Sequence, residues 1–228
     1  IFLPCLLALL AVLFPESFQA GQVLFSNDGP LGPISADNAR FPGLFAGYWA
    51  DLNWLGGAQP SATPNITAAL LSLGGPIGYA KFFVPLALFV LGIAAWLFFR
   101  QSGFRPWVCF LGGLAAALNS DFFSYACWGL GSLALTVAAV FLSLAAFVTS
   151  TARGWVRAAL AGLAVGLALS EGYDNGAIFS LYVAAFVVFQ NLNAPKGQEP
   201  LSTRLVRGAS MTAVVAMFAA FMAAQTLM

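Results

Sequence analysis

The 228-residue chain contains no histidine and very little charge: nine Lys and Arg against eight Asp and Glu, 7% of the sequence. Without imidazole, these residues cannot form a Ser-His-Asp or Cys-His catalytic centre, a His-ligated haem or pigment, or a His-bound zinc. The scarcity of charge excludes more. Soluble domains are about 25% charged and about 45–50% apolar, whereas this chain is 61% hydrophobic. A fold of this size has too little interior to hide that surface from water, so a soluble enzyme is excluded, and disorder with it. The net charge of +1 offers no footprint for nucleic acid. Cysteine is sparse too. Cys5, Cys109 and Cys127 are far apart and form no CxxC pair, which reads as small buried hydrophobes rather than a metal clip or redox couple. No Walker loop or dinucleotide glycine fingerprint is present, so nucleotide-driven transport has no support.

Apolar runs bounded by charge, proline and glycine fill most of the chain. They predict membrane helices over about 1–15, 77–99, 104–120, 129–149, 154–170, 175–192 and 208–227. Seven helices of roughly 20 residues fit this length, with about a third left for loops. The expectation is an all-α polytopic membrane protein, one transmembrane helical domain over 1–228, with a long first extracytoplasmic loop at 16–75. The chain starts at Ile1 and both ends fall inside apolar runs, so a piece of a longer chain is expected. Residues 1–15 also fit a signal-peptide core, and a membrane helix is preferred because the rest is integral to the membrane. Gly162 and Gly166 form a GxxxG, and Gly112 and Gly113 add small surface where helices approach closely. Pro85 predicts a kink in the second span. No span carries Lys or Arg at its middle, which argues against a voltage sensor.

The few charges are sorted. Arg100, Arg105, Arg153, Arg157, Lys196, Arg204 and Arg207, seven of the nine bases, fall in alternate loops on one side. Glu16, Asp28, Asp37, Asp51, Asp121, Glu171 and Asp174, seven of the eight acids, fall on the other. Basic loops stay cytoplasmic, which places the N-terminus inside and the 16–75 loop outside. That rule concerns Lys and Arg only, so the outer acids need their own account. Turns at a membrane surface are polar, and this suffices for Asp37 and Asp51. Asp28, Asp121, Glu171 and Asp174 sit beside apolar spans, where an acid is costly unless it faces a cavity or partner. Three hairpins bringing carboxylates to one membrane level predict a shared polar site. Such a site would hold a divalent cation such as Mg or Mn, or supply a general base among stabilising neighbours.

The 16–75 loop also carries Phe25, Phe41, Phe45, Tyr48, Trp49 and Trp54. Residues 41–54 and 64–73 have apolar spacing that predicts short amphipathic helices, lying in the interface or capping the bundle. Asn65-Ile66-Thr67 matches a glycosylation acceptor, a tripeptide common by chance. Residues 193–207 read as a polar connector.

Seven runs, a long first outer loop and Asp28 soon after the first span resemble the N-terminal module of GT-C superfamily glycosyltransferases. The segments Asp121-Phe122-Phe123-Ser124-Tyr125-Ala126-Cys127-Trp128-Gly129 and Gly172-Tyr173-Asp174-Asn175-Gly176-Ala177-Ile178-Phe179-Ser180 are similar to bacterial YfhO-like membrane proteins, grouped with that superfamily. The resemblance implies sugar transfer from a polyprenyl-phosphate donor at the outer face of the bacterial cytoplasmic membrane. Asp28 would be the base that activates or orients the acceptor, with Asp121 as its catalytic companion. Asn27, Arg40, Tyr125, Trp128, Glu171 and Asp174 would contact substrate, and Asp28, Asp121 and Asp174 would hold the metal. The chain departs from the family pattern in two ways: no paired acidic motif surrounds Asp28, and Arg40 and Lys81 alone are basic near the outer loops. A transporter or channel with an acidic outer vestibule, or a structural subunit of a membrane complex, are the alternatives the residues leave open.

Overall fold

The computed structural model describes residues 1–24, 26–46, 48–50, 56–59, 64–148, 153–193 and 200–227. Phe25, Asp51, Trp54, Lys196 and Glu199 lie outside them. The described helices are α1 (Phe2–Leu13), α2 (Leu31–Ala39), α3 (Ile66–Gln101), α4 (Pro106–Ala117), α5 (Ser120–Cys127), α6 (Gly131–Val148), α7 (Gly154–Leu192), α8 (Leu201–Met222) and α9 (Ala224–Leu227). One small antiparallel ladder pairs β1 (Tyr48–Ala50) with β2 (Gly57–Gln59), Tyr48 opposite Gln59.

Four of these helices, α3, α6, α7 and α8, are long and apolar enough to cross a membrane. The bent pair α4 and α5, at 41°, makes a fifth if counted as one span. Counted this way, the described residues reach five and do not show the expected seven. With 12 residues, α1 is about 18 Å long, short of the roughly 30 Å hydrocarbon core. The expected spans 154–170 and 175–192 are joined within α7 through Gly172 (φ −135°, ψ 20°) and Tyr173 (φ 38°, ψ −101°). The chain doubles back there. Residues eight apart in an unbroken helix lie about 12 Å from each other, yet a Cβ on Gly176 would collide with the Ala168 carbonyl oxygen. Thus α7 is a hairpin of two apolar legs.

Local chemistry explains the other breaks. Asn65 caps α3, its side-chain oxygen accepting from the Ala68 amide at 2.8 Å. Gly75 then leaves the helix with φ 64° and ψ 176°. Glycine tolerates that φ, and Pro76 disfavours helical backbone at the residue before it. Pro85 also lies inside α3, but Gly75 is where the backbone leaves helical values. A proline alone removes one hydrogen bond, whereas the Gly-Pro pair also supplies a residue free to turn. Asn119 caps α5, accepting from the amides of Asp121 (3.1 Å) and Phe122 (3.4 Å), and so ends the run that α4 began. The helix expected over 64–73 is present as the first piece of α3. Over 41–54 the described residues form no α-helix: Gly43–Ala46 is a single 3-10 turn and Tyr48–Ala50 is extended, and 47 and 51–54 lie outside the described residues. Aromatic Tyr48 and Trp49 suit a strand, and Gly56 (φ 106°) supplies the positive φ that lets the chain enter β2. Helix α2 was not legible; its sequence, LGPISADNA, has no clear apolar stripe and none of its residues is buried.

Packing joins two clusters through α6. In the first, α1 seats on α3 and α4. Leu6 is fully buried, and Phe2 stacks on Trp96 at 5.5 Å while meeting Phe110 edge-on at 5.6 Å. Gly92 and Gly113 make room: a Cβ on Gly92 would lie 2.7 Å from Leu6, and one on Gly113 2.5 Å from Phe2. The second cluster gathers Val140 and Phe147 of α6 with both legs of α7 and with Met211, Val215 and Ala219 of α8. Lipid is as apolar as these side chains, so close van der Waals contact rather than escape from water holds the helices together. The outward faces are apolar as well. Only 17% of the most apolar window of α7 and 22% of that of α8 is buried, a surface that fits hydrocarbon and not water. The described residues are accordingly those of a helical protein with four or five helices that could span a membrane.

Candidate functional site at the acidic end

Asp28 follows a loop that is tied to the turn between α5 and α6. Its amide donates to the Trp128 carbonyl (2.9 Å), and the Ser26 hydroxyl donates to the same oxygen (3.1 Å). Ser26 Oγ also accepts from the Gly29 amide at 2.9 Å. Gly129 permits this docking, with φ 102° and no side chain in the space that Ser26 Oγ and the Gly29 nitrogen occupy. Two segments 100 residues apart in sequence are thereby locked by backbone. Gly129→Ala is expected to detach the 26–29 loop, since left-handed φ and direct overlap both oppose a Cβ, at a cost of about 1–3 kcal/mol. Amide hydrogen exchange at Asp28 would then rise at least about tenfold; unchanged protection would refute the locking role of Gly129.

Asp28 lies at a cavity of about 230 Å³. Phe14 at the end of α1, Tyr79, Phe83 and Val84 of α3, and Ile34 of α2 form its apolar walls. Ser26, Asp28 and Gly29 give it a polar side. The Asp28 side chain is exposed and accepts from Asn27 Nδ2 at 3.1 Å, so two of the expected site residues touch each other. Pockets for whole small molecules are typically about 300–1,000 Å³, so this one is sized for part of a larger ligand. Lys81 lies just beyond the wall, with Nζ donating to the Gln19 carbonyl (2.5 Å) and its own carbonyl accepting from Ser17 Oγ (2.6 Å). That contact fixes the tail of α1 and directs the ammonium to backbone.

Glu171 is placed differently. It is buried, with 4% exposure, at the turn of the α7 hairpin. Its Oε1 accepts from the amides of Ile66 (2.5 Å) and Thr67 (3.2 Å), and Oε2 from the Thr67 hydroxyl (2.7 Å). These amides are the open donors of the first turn of α3, which a carboxylate satisfies well. Asn65 completes the clamp by donating Nδ2 to the Ser170 carbonyl at 2.9 Å. Asn65 is thus engaged through both side-chain atoms, as helix cap and as interhelical strut. Gly172 is pressed onto buried Thr136 of α6, where a Cβ has no space. Tyr79 lines the Asp28 cavity and lies within electrostatic reach of Glu171, which links the two places.

The remaining expected residues are more scattered. Asp121 and Asp174 are exposed and outside the cavity. Tyr125 and Trp128 are 46% and 57% exposed, and Trp128 contributes its backbone carbonyl to the loop. Arg40 forms an ion pair with Asp37 at 3.2 Å. Among the described residues, no three His, Cys, Asp or Glu side chains converge as a metal would require, and Asp28, Asp121 and Asp174 are not such a group. Asp28 and the 128–129 turn come together, as does Glu171 with the start of α3. Sequence reasoning did not find Thr67 or Tyr79 as part of this region. The Asn65-Ile66-Thr67 tripeptide that contains Thr67 reads in the sequence equally as a helix cap, which Asn65 is.

No family model matches the chain, and no curated protein or solved structure matches it.

Proposed function

We propose that this chain is a GT-C-like membrane glycosyltransferase core, transferring sugar from a polyprenyl-phosphate donor outside a bacterial cytoplasmic membrane. The reading takes the seven apolar runs as seven crossings, counting both legs of α7, the bent α4–α5 pair and, although it is shorter than the hydrocarbon core, α1. The N-terminus is then cytoplasmic and the Asp28 loop extracytoplasmic. The observation that carries the proposal is the placement of Asp28: a carboxylate on a backbone-locked loop, beside a small apolar cavity at the acidic end of the bundle. A general base needs a fixed position next to its acceptor, and an isoprenoid needs an apolar wall. Asp28 would take the proton of the acceptor hydroxyl as that oxygen attacks the sugar carbon, and the lipid phosphate would leave. The cavity lining contains no Lys or Arg among the described residues, so a divalent cation or a residue outside this lining would have to balance the phosphate charge.

Asp28→Asn keeps the shape and the amide contact to Trp128 while removing the base. Transfer of labelled sugar from a polyprenyl-phosphate donor, assayed in membranes, is expected to fall at least about a hundredfold, the low end of what general-base catalysis contributes. Asp121→Asn should have a smaller effect, because Asp121 lies outside the cavity. Unchanged transfer in Asp28→Asn would sink the role of Asp28. Cation flux in proteoliposomes without any transfer would favour the transporter, and recovery only within a stoichiometric complex the structural subunit.

A further inference from the structure

An apolar groove of about 390 Å³ crosses the bend of α3, next to the Asp28 cavity. Leu70 and Leu73, before the break at Gly75, form one side of it, and Phe82 and Leu86, after the break, form the other. Tyr79 and Phe83 line both the groove and the Asp28 cavity, so the two spaces share a wall. Tyr79, Phe82, Phe83 and Leu86 follow the i, i+3, i+4, i+7 spacing of one helix face. Gly78 keeps the floor low: a Cβ there would meet nothing within 4 Å. No charged residue is among the described lining residues, and Leu73 is 86% exposed, so the groove is open and apolar.

The polar end of the shared wall has a different character. Ionised Asp28 can only accept hydrogen bonds, and Asn27 Nδ2 takes up one of its roughly four acceptor positions. Ser26 Oγ already donates to the Trp128 carbonyl and accepts from the Gly29 amide. Tyr79 stacks on Phe83 at 4.4 Å, and its hydroxyl makes no hydrogen bond among the described residues. A group that fills the space must therefore donate to Asp28 and is free to accept from Tyr79. A hydroxyl does both, whereas an ammonium only donates. A phosphate would bring negative charge to a carboxylate, with no Lys or Arg among the described lining residues. Glu171, within electrostatic reach of Tyr79, adds to that repulsion.

We propose that the cavity and the groove are one site for a neutral, hydroxyl-headed lipid, with its hydroxyl between Asp28 and Tyr79 and an acyl chain in the groove across α3. The inference rests on the transferase reading in one respect and deepens it there: the sugar acceptor is a lipid. Its hydroxyl oxygen attacks the sugar carbon, its proton passes to Asp28, and the bond from that carbon to the donor phosphate breaks.

The test uses the whole chain in nanodiscs that hold equal amounts of diacylglycerol, phosphatidic acid and phosphatidylethanolamine, with the retained lipids counted by native mass spectrometry. Diacylglycerol is expected to be retained at least about tenfold over phosphatidic acid, the scale of a like-charge penalty. Gly78→Leu fills the groove without striking the protein and should lower diacylglycerol retention several-fold; Gly32→Leu, whose Cβ is equally unobstructed, should not. Tyr79→Phe keeps the ring stack and should lower it about two- to tenfold, the worth of one hydrogen bond. Asp28→Asn should erase the discrimination against phosphatidic acid. Cys127, which lines the cavity, gives a reading that needs no variant to fold: its alkylation, followed by peptide mass spectrometry, should slow in diacylglycerol and not in phosphatidic acid. Equal retention of the three lipids, or the same retention in Gly78→Leu and Gly32→Leu, would overturn the site. A preference for phosphatidic acid or phosphatidylethanolamine would overturn the neutral head. Selective retention of diacylglycerol with no sugar transferred to it would keep the site and remove its role as acceptor. Transfer to a water-soluble acceptor, with no selectivity for diacylglycerol, would overturn the site and keep the transferase.

Discussion

Glu171→Ala is expected to free the amino end of α3 and to lower the thermal stability of the protein. Three donors converge on that one carboxylate, at 2.5, 3.2 and 2.7 Å, and it is 4% exposed. Alanine would leave the amides of Ile66 and Thr67 without an acceptor in a region sheltered from water. Hydrogen bonds to charged groups contribute roughly 1.5–3 kcal/mol each, and a buried donor stripped of its partner costs roughly 1–3 kcal/mol. Allowing for partial rescue by water, about 2–4 kcal/mol is expected for the whole clamp. Glu171→Gln keeps one acceptor oxygen and should cost about half as much. Thr67→Val removes only the hydroxyl bond and should cost about 1 kcal/mol. Thermal denaturation in detergent gives the order Ala, Gln, Val from least to most stable. Amide exchange at Ile66 and Thr67 gives the location. Undisturbed protection of those amides in Glu171→Ala would dismiss the clamp.

The second large effect belongs to the α7–α8 contact. A Cβ on Gly162 would lie 2.5 Å from the Val215 carbonyl oxygen and 2.7 Å from Phe218 Cβ. One on Gly166 would lie 2.7 Å from the Ala219 carbonyl oxygen. Backbone carbonyls cannot step aside as a side chain can, so the helices must part. Gly162→Val is expected to cost about 1–3 kcal/mol or more through overpacking and to expose α8 to protease before the rest of the chain. Gly32→Val, whose Cβ position is open, is the matched control. Limited proteolysis that treats Gly162→Val and Gly32→Val alike would contradict this account.

The GxxxG of Gly162 and Gly166 was visible in the sequence, but not its partner. Small residues announce a close approach; which helix arrives is decided by the path of the whole chain. The acids show the same division. Their sorting into loops that alternate with the basic ones could be read from the sequence. Their roles could not. Glu171 resembled Asp174 and Asp121 in the sequence, all acids beside apolar runs. In the fold Glu171 satisfies the first turn of α3 from 104 and 105 residues away, while the other two face outward.

The long loop was the least legible segment. Residues 41–54 have helix-like apolar spacing, yet Tyr48–Ala50 forms a strand with Gly57–Gln59. Short windows of aromatic residues satisfy both periods, and a ladder partner several residues on settles which one forms. The helix over Leu31–Ala39 carried no apolar stripe to announce it, and none of its residues is buried.

The near absence of charge and the long apolar runs by themselves determined that the chain forms helices apolar enough to span a membrane. Burial of 61% apolar residues has few solutions, and the positions of the breaks follow from local chemistry: Asn65 and Asn119 as caps, Gly75 before Pro76 as a turn. The tertiary structure alone decided that two apolar runs fold as the hairpin α7, that Asp28 is bound to the turn at Trp128 and Gly129, and that Tyr79 and Phe83 wall both the Asp28 cavity and the groove across α3. Hydropathy and capping act over a few residues and can be read along the chain. Contacts across about 100 residues depend on how every helix between them packs, which no short window of sequence contains.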